Sequence, residues 1–372
     1  MVRSGAANIG MKPGKPVVFC FIGLLLLIAY ASQAFCADKV VLQLAWKHQF
    51  QFAGYYAALN KGFYRQKGLE VVLIEGGQGR FAREEVLSGR AQYGVAGAEL
   101  ILHRSDGDPF VVLAPIFQHS PSILLAIRGS GISGLQDLAG RRVMLLPGKK
   151  DADLLAALLN EGVPLERLQR LNQSYDLNDL ITGRTDAVSA YLTNEPWQLE
   201  QIGVMPQIIS PQTYGVDFYS DCLFTTEMEV NRHPGRVKRF LEASLHGWEY
   251  AMGHPEEIIE LLLTEYGVTK PRAHLQYEAD ATREIMKPDL IQIGHMNPGR
   301  WRHIADTYAK LGMIAPGFSM QGFLYERFLD KNHYWIKWVA GGAVLISLVA
   351  GMAALMFFRF TRRLKTEIHE RA

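Results

Sequence analysis

The sequence predicts an α/β protein of two lobes, a hinged clamshell, followed by one membrane-spanning helix. Three observations predict it. Short β-rich runs alternate with helical stretches from about residue 40 to residue 226, the pattern of βαβ units and a mostly parallel sheet covered by helices on both faces. Beyond Thr226 the chain reads as helix almost without interruption. A hydrophobic run from Val339 to Phe358 then supplies roughly 20 apolar residues, enough at about 1.5 Å each to cross a hydrocarbon core of about 30 Å.

The flanks of that run set its orientation. Tyr334, Trp335 and Trp338 precede it and Arg359, Arg362, Arg363 and Lys365 follow, so the aromatic side suits the outer interface and the basic side the cytoplasm. At the other end, Lys12 and Lys15 precede the apolar stretch Val17–Tyr30 and small residues follow, the layout of a secretory signal. Ser32 and Ala34 satisfy a small-x-small rule for cleavage after Ala34; cleavage after Cys36 is an alternative, as is an uncleaved signal anchor. Phe35 argues against lipid attachment at Cys36. The expected organisation is a signal peptide over 1–37 and a bilobal domain over 38–333 outside the cytoplasm. A membrane helix over 334–358 and a cytoplasmic tail over 359–372 follow. Lobe one takes 38–127 and 225–333, and lobe two takes 128–224.

Composition narrows the function classes. Of the 3 cysteines, Cys20 lies in the signal, which leaves Cys36 and Cys222, free or bridged. No CxxC spacing exists, so a thiolate metal site is not expected. A net charge of +2 argues against a nucleic-acid surface. Catalysis has little support, since no Ser-His-Asp order, HExxH or paired metal ligands stand out and the 11 histidines are scattered.

In order along the chain, Val40–Ala45 alternates as a strand and Phe52–Leu59 is the helix after it, stopped by Gly62. Leu69–Ile74 is a strand ending at Gly76, Gly77 and Gly79; no Gly-Lys-Ser/Thr follows, so this is no nucleotide loop. Helix Arg83–Ser88, strand Tyr93–Ala96, helix Leu100–Arg104 and strands Phe110–Ile116 and Ile123–Ile127 complete the first unit. The second contains Leu135–Leu138, strand Arg142–Leu146, helix Asp151–Leu159, the stretch Asp176–Leu180 and strand Ala187–Leu192. Gln207–Ile209 and Leu223–Thr226 read as strands. The helices Gly235–Met252, Pro255–Tyr266, Tyr277–Ile285 and Pro298–Leu311 follow, the last with Asn297 as cap and Pro298 in its first turn.

Ligands of open α/β sheets sit beyond the carboxyl ends of the strands. Trp46 ends the first strand, where an indole can stack on a planar ligand, with Gln49 and Tyr55 on the following loop and helix start. Gly77 lets backbone approach the cleft, Glu99 follows a strand near a helix start, and Gln118 and His119 close another strand. Gly148 and Asp151 stand where a strand meets a helix, so exposed N–H groups can receive a polar group, with Asp151 expected as cap. Tyr191, Asn194 and Glu195 combine an aromatic, an amide and a carboxylate at a strand end ahead of Pro196, the strongest cluster. Tyr219 and Asp221 precede the crossing back to lobe one, while His295 and Asn297 read as a packing corner.

The run Leu42–Tyr56, followed by Lys61–Tyr64 and Gly68-Leu69, resembles the opening of substrate-binding proteins related to thiamine-pyrimidine synthases. Tyr191–Pro196, Tyr214–Tyr219 and Ile293–Pro298 with Trp301 resemble the branch of that family fused to membrane sensors. The resemblance implies a bilobal type II periplasmic-binding-protein fold and a small-molecule ligand, a pyrimidine precursor of thiamine, a sulfonate or a similar solute. The synthases of the family carry pyridoxal phosphate on a lysine and consume a histidine. Those positions fall here on Ala96 and Leu100, and the cysteine-rich run of the synthases is replaced by Tyr219–Leu223. The expectation is therefore binding without turnover, with no cofactor and no metal. Its partners would be the ligand, the inner membrane, and either a cytoplasmic signalling protein or an ABC permease, with no nucleic acid. A sensor is the leading reading, a tethered uptake component the second, and a pyrimidine-forming enzyme the third.

Overall fold

The computed structural model describes residues 37–77, 79–325 and 334–370, so the expected signal peptide, with Cys20 and Cys36, lies outside the described residues. Ten strands form two five-stranded sheets. The first contains β1 (Asp38–Gln43), β2 (Leu69–Ile74), β3 (Tyr93–Ala96), β4 (Phe110–Phe117) and β10 (Ser220–Thr226), in the order β2-β1-β3-β10-β4. The second contains β5 (Ser122–Ile127), β6 (Arg142–Leu145), β7 (Gln169–Asn172), β8 (Ala187–Tyr191) and β9 (Pro206–Ile209), in the order β7-β6-β8-β5-β9. The two orders are the same pattern.

In each sheet the strand that arrives from the other lobe is inserted beside an edge strand and runs against its neighbours. β10 is antiparallel to β3 and β4, and β5 is antiparallel to β8 and β9. As expected, each sheet is mostly parallel, with four of its five strands running one way; the one reversed strand in each is the crossing strand. The same pairing moves the lobe boundaries. β5 hydrogen-bonds into the second sheet and β10 begins at Ser220 in the first, so the crossings lie at 118–121 and 215–219, not after Ile127 and at 225.

Alternation along the crossing strands explains why lobe one holds a sheet covered on both faces. Phe110 and Val112 of β4, with Cys222 and Phe224 of β10, enter one apolar layer, while Val111, Leu113 and Leu223 enter the other. Cys222 is fully buried and free. Helix Ala53–Asn60 packs against the long helix Pro234–Gly253 so closely that side chains are excluded. A Cβ on Gly54 would stand 2.1 Å from the Trp248 ring, and one on Gly247 would stand 2.1 Å from the Gly54 carbonyl oxygen.

Sequence reading did not delimit β7, helix Phe63–Gln66, helix Glu195–Gln201 or helix Glu227–Arg232. β7 reads Gln-Arg-Leu-Asn and is an exposed edge with no apolar alternation. The expected first helix stands at Ala53–Asn60, preceded by a single tight turn at Phe50–Phe52. Asn297 caps helix Pro298–Lys310 as expected, accepting from Gly299 N at 2.8 Å.

After that helix the chain returns to lobe one. Val112 N donates to Phe323 O at 2.8 Å and Tyr325 N to Val112 O at 3.0 Å, so residues 323–325 lie along the free edge of β4. Helix Tyr334–Glu370 contains the segment Trp338–Arg363, long and apolar enough to cross a membrane and exposed throughout its most apolar stretch.

Candidate functional site: a closed cleft between the lobes

The crossings form a hinge. His119 Nδ1 lies 2.9 Å from the Asp217 carboxylate, and Arg300 reaches the same carboxylate at 3.0 Å, so the two crossing segments are tied to each other and to helix Pro298–Lys310. The carboxylate is held below its usual range, because these neighbours outweigh its burial. Tyr219, two residues on, is buried and accepts from Asn297 N at 3.1 Å beneath the Arg300 guanidinium.

Opposite the hinge the lobes touch at three places. Trp46 of lobe one meets Tyr175 of lobe two with ring centroids 4.8 Å apart. Tyr175 sits at φ 61°, a left-handed turn that aims its ring across the opening. Lys270 of lobe one donates to Gln49 Oε1 at 2.7 Å, to Glu278, and across the cleft to Asn194 Oδ1 at 2.7 Å. Beside it Tyr277 donates to Leu192 O at 2.9 Å, and Trp197 stacks on His274 at 4.3 Å. At the third place Lys150 lies over the Phe81 ring, 3.2 Å from its centroid, and Lys149 reaches Asp106 and Leu102 O.

These contacts enclose a cavity of about 610 Å³, the size of a small-molecule site. Its deep wall carries Glu99, Asp153 and Asp221 with Tyr191 and Tyr308; Ser120, Ser122 and Ser189 line it from lobe two. Burial pushes Glu99 and Asp221 up to about 7 and raises Asp153 and Glu195 as well. Burial also raises Tyr191 and lowers Lys150.

Of the sequence-based candidates, the structure brings Trp46, Gln49, Glu99, Gly148, Tyr191, Asn194, Glu195, Tyr219 and Asp221 to the cavity wall. The Tyr191–Asn194–Glu195 cluster is compact: Glu195 accepts from Tyr191 N at 2.7 Å and from Asn194 Nδ2 at 2.6 Å. Three candidates lie elsewhere. Tyr55 is fully buried in the lobe-one core with its ring edge-on to Trp248, because a helix-start aromatic one turn inside the fold faces the sheet. Gly77 lines a separate shallow depression with Lys47, Arg80 and Tyr175. The close backbone approach belongs to Gly76, whose Cβ would meet Leu44 O at 2.5 Å. Gln118 turns away from the cleft and donates to His295 O at 3.0 Å, fastening the hinge.

Asp151 is also corrected. It makes no side-chain cap; its carboxylate folds back to accept from Leu146 N and Ser189 Oγ, and burial pushes it up to about 7. Asp153, two residues on, is the acid of that turn that lines the cavity. Lys270, Tyr175 and Tyr308 were missed. Lys270 and Tyr308 come from the carboxyl-terminal helical region, far in sequence from the strand ends that guided the search. Tyr175 follows the unrecognised β7. Among the described residues no cluster of His, Cys, Asp or Glu has the makings of a metal site.

Residues 49–258 match a protein-family model described as NMT1/THI5 like. This chain belongs to that family. It is 26% identical over 318 residues to the riboflavin-binding protein RibY of Chloroflexus aurantiacus, covering 80% of this chain and 88% of that one. It is 26% identical over 307 residues to a 4-amino-5-hydroxymethyl-2-methylpyrimidine phosphate synthase of Legionella pneumophila, covering 80% and 94%. Among solved structures, a periplasmic sulfonate-binding protein of Methylobacillus flagellatus superposes with a TM-score of 0.59 at 17% identity, covering 81% and 96%. The fold is thus the bilobal type II periplasmic-binding-protein fold, and the superfamily is the one related to thiamine-pyrimidine synthases.

Proposed function

We propose that this chain is a membrane-anchored periplasmic solute-binding protein that closes on a small planar, polar molecule and signals that closure across the membrane. The observation that carries the reading is the cavity between the touching lobes: an aromatic pair and a lysine bridge join the lobes beside a space lined by polar groups of both. Binding without turnover is favoured because the synthase lysine and histidine positions are Ala96 and Leu100, the latter fully buried in the core. A signalling role draws support from the strap 323–325, which attaches to β4, the strand that leads into the first crossing. A lobe movement that reorients β4 thereby acts on chain only a few residues before the membrane helix. Ligand drives such a movement only through its differential affinity for the closed state.

The second reading is a tethered component of an ABC uptake system, favoured by structural neighbours such as the sulfonate-binding protein. Deletion separates the two: loss of uptake with signalling intact supports delivery, and the converse supports a sensor.

Purified full-length chain in detergent, screened by thermal shift against small heterocycles and sulfonates, should gain stability as RT ln(1 + [L]/Kd) with a true ligand. Trp46→Ala and Asn194→Ala should each weaken that ligand at least tenfold, about 1.4 kcal/mol, while the chain stays folded. Trp46 supplies aromatic overlap, and Asn194 holds Lys270 across the opening. Unchanged affinity in both folded variants would place the site elsewhere.

The orientation is tested separately. Arg359, Arg362 and Arg363 stand at the end of the apolar segment, a basic flank that supports a cytoplasmic position for that end. Alkaline phosphatase fused after Ala372 should be inactive and a fluorescent protein bright; an active phosphatase there would reverse the topology and remove the signalling reading.

A further inference from the structure

We propose that helix Pro298–Lys310 carries movement of the hinge to the membrane-spanning helix, with Trp301 as the residue that couples the second crossing to the strap 323–325. The inference rests on the signalling reading and names the route that a signal would take.

The helix grips the crossing at three consecutive residues. Arg300 reaches the Asp217 carboxylate at 3.0 Å and donates to the Asp217 carbonyl oxygen at 3.3 Å. Tyr308 meets Phe218 edge-on, with ring centroids 5.1 Å apart. Tyr219 accepts from Asn297 N, just ahead of the helix, and lies under the Arg300 guanidinium. A hinge moves through dihedral changes in a few such residues, so these side chains shift whenever the lobes reorient.

On its other side the same helix holds the strap. The Trp301 indole packs on the Tyr219 ring at 5.4 Å and edge-on against Phe323 at 5.1 Å, the latter two ring planes 88° apart. All three rings are buried, in one apolar layer with Ile304, Met320 and Leu324. So dense an interior transmits a displacement to its neighbours instead of absorbing it. The indole Nε1 has no hydrogen-bond partner, so packing alone fixes the ring. Phe323 O accepts from Val112 N, and the membrane-spanning helix begins at Tyr334, a few residues beyond Tyr325. Hinge, Trp301 and strap are thus one contiguous series of contacts, of the kind that carries coupling between distant sites. The motifs Tyr214–Tyr219 and Ile293–Pro298 with Trp301, far apart in the chain, meet at this junction.

The route is tested by hydrogen exchange of the full-length chain in detergent, without ligand, read by mass spectrometry over residues 320–325. Asp217→Ala unties the crossing from His119 and Arg300 and should speed exchange there about threefold, since exchange follows the local opening equilibrium. In a Trp301→Phe background, which keeps a ring but opens a gap, the same substitution should leave strap exchange unchanged, because residues that act through one another are non-additive. Phe323→Leu cuts the series at its other end; it should behave as Trp301→Phe does and carries the test if that variant fails to fold. Asp186→Ala breaks an ion pair with Arg142 in lobe two, away from the crossings, and should not touch the strap. No acceleration by Asp217→Ala, equal acceleration with and without Trp301, or the same acceleration from Asp186→Ala overturns the proposal. Each of these outcomes discards the route alone, because no ligand enters the experiment and the solute-binding cleft is judged separately by the thermal-shift screen.

Discussion

Gly247→Ala should lower the melting temperature of the protein by about 6–12 °C, whereas Gly235→Ala in the same helix should leave it unchanged or raise it slightly. Both glycines lie in Pro234–Gly253, so the comparison holds helix and propensity constant. A methyl on Gly247 would sit 2.1 Å from the Gly54 carbonyl oxygen and 2.6 Å from the Ala58 Cβ, against a helix backbone that cannot rotate away. A methyl on Gly235 meets only the far end of the Arg239 side chain at 3.6 Å. Overpacking of this kind costs about 3 kcal/mol, which at roughly 2–4 °C per kcal/mol gives the expected shift. Removing a glycine from an unstrained helical position instead gains up to about 1 kcal/mol. Equal melting temperatures for the two variants, read by circular dichroism, would show that the two helices are not in backbone contact.

That contact also shows what the sequence conceals. Gly54 and Gly247 are ordinary letters in two helical runs almost 200 residues apart, and only tertiary packing reveals why each must lack a side chain. The alternation of strands and helices was legible because it reflects local periodicity, and β2 and β3 stand where the pattern put them. Lobe boundaries were not, because sequence does not say which sheet a crossing strand joins. Ile123–Ile127 looked like the close of the first unit, but its hydrogen bonds lie with β8 and β9.

The site divides in the same way. Residues at strand ends, such as Trp46, Tyr191, Asn194 and Asp221, were found because strand ends converge on the cleft. Choosing among neighbours failed where side-chain direction decides. Asp151 and Asp153 share one helix start, yet the first folds back onto Leu146 and Ser189 while the second faces the cavity. Lys270 stands between Thr269 and Pro271 with no motif around it, and only folding brings it to Asn194.

The acidic cleft makes a second large prediction, on pH. Asp221 moves from 3.8 to about 7 on folding, and Glu99 and Asp151 also rise to about 7, in each case chiefly through burial. The folded state thus holds protons that the unfolded chain has already released. The stability these groups contribute is complete below about pH 4 and is lost as pH rises through about 7. His103 and His274, lowered to about 4 mainly by burial, act in the opposite sense, but most of their contribution is already gained by pH 6.5. Between pH 6.5 and pH 8 the carboxyls outweigh the histidines, His48 among them, and ligand-free protein should lose about 1 kcal/mol across that interval. Asp221→Asn isolates one of them. Asparagine tolerates the φ of 46° at this position and its amide oxygen still accepts from Gln51 Nε2, but it has no proton to lose. The variant should melt several degrees above the parent at pH 8 and match it near pH 4. A melting curve against pH as steep as the parent's would mean that Asp221 is already ionised in the folded protein, with its charge met by a partner the cleft does not display.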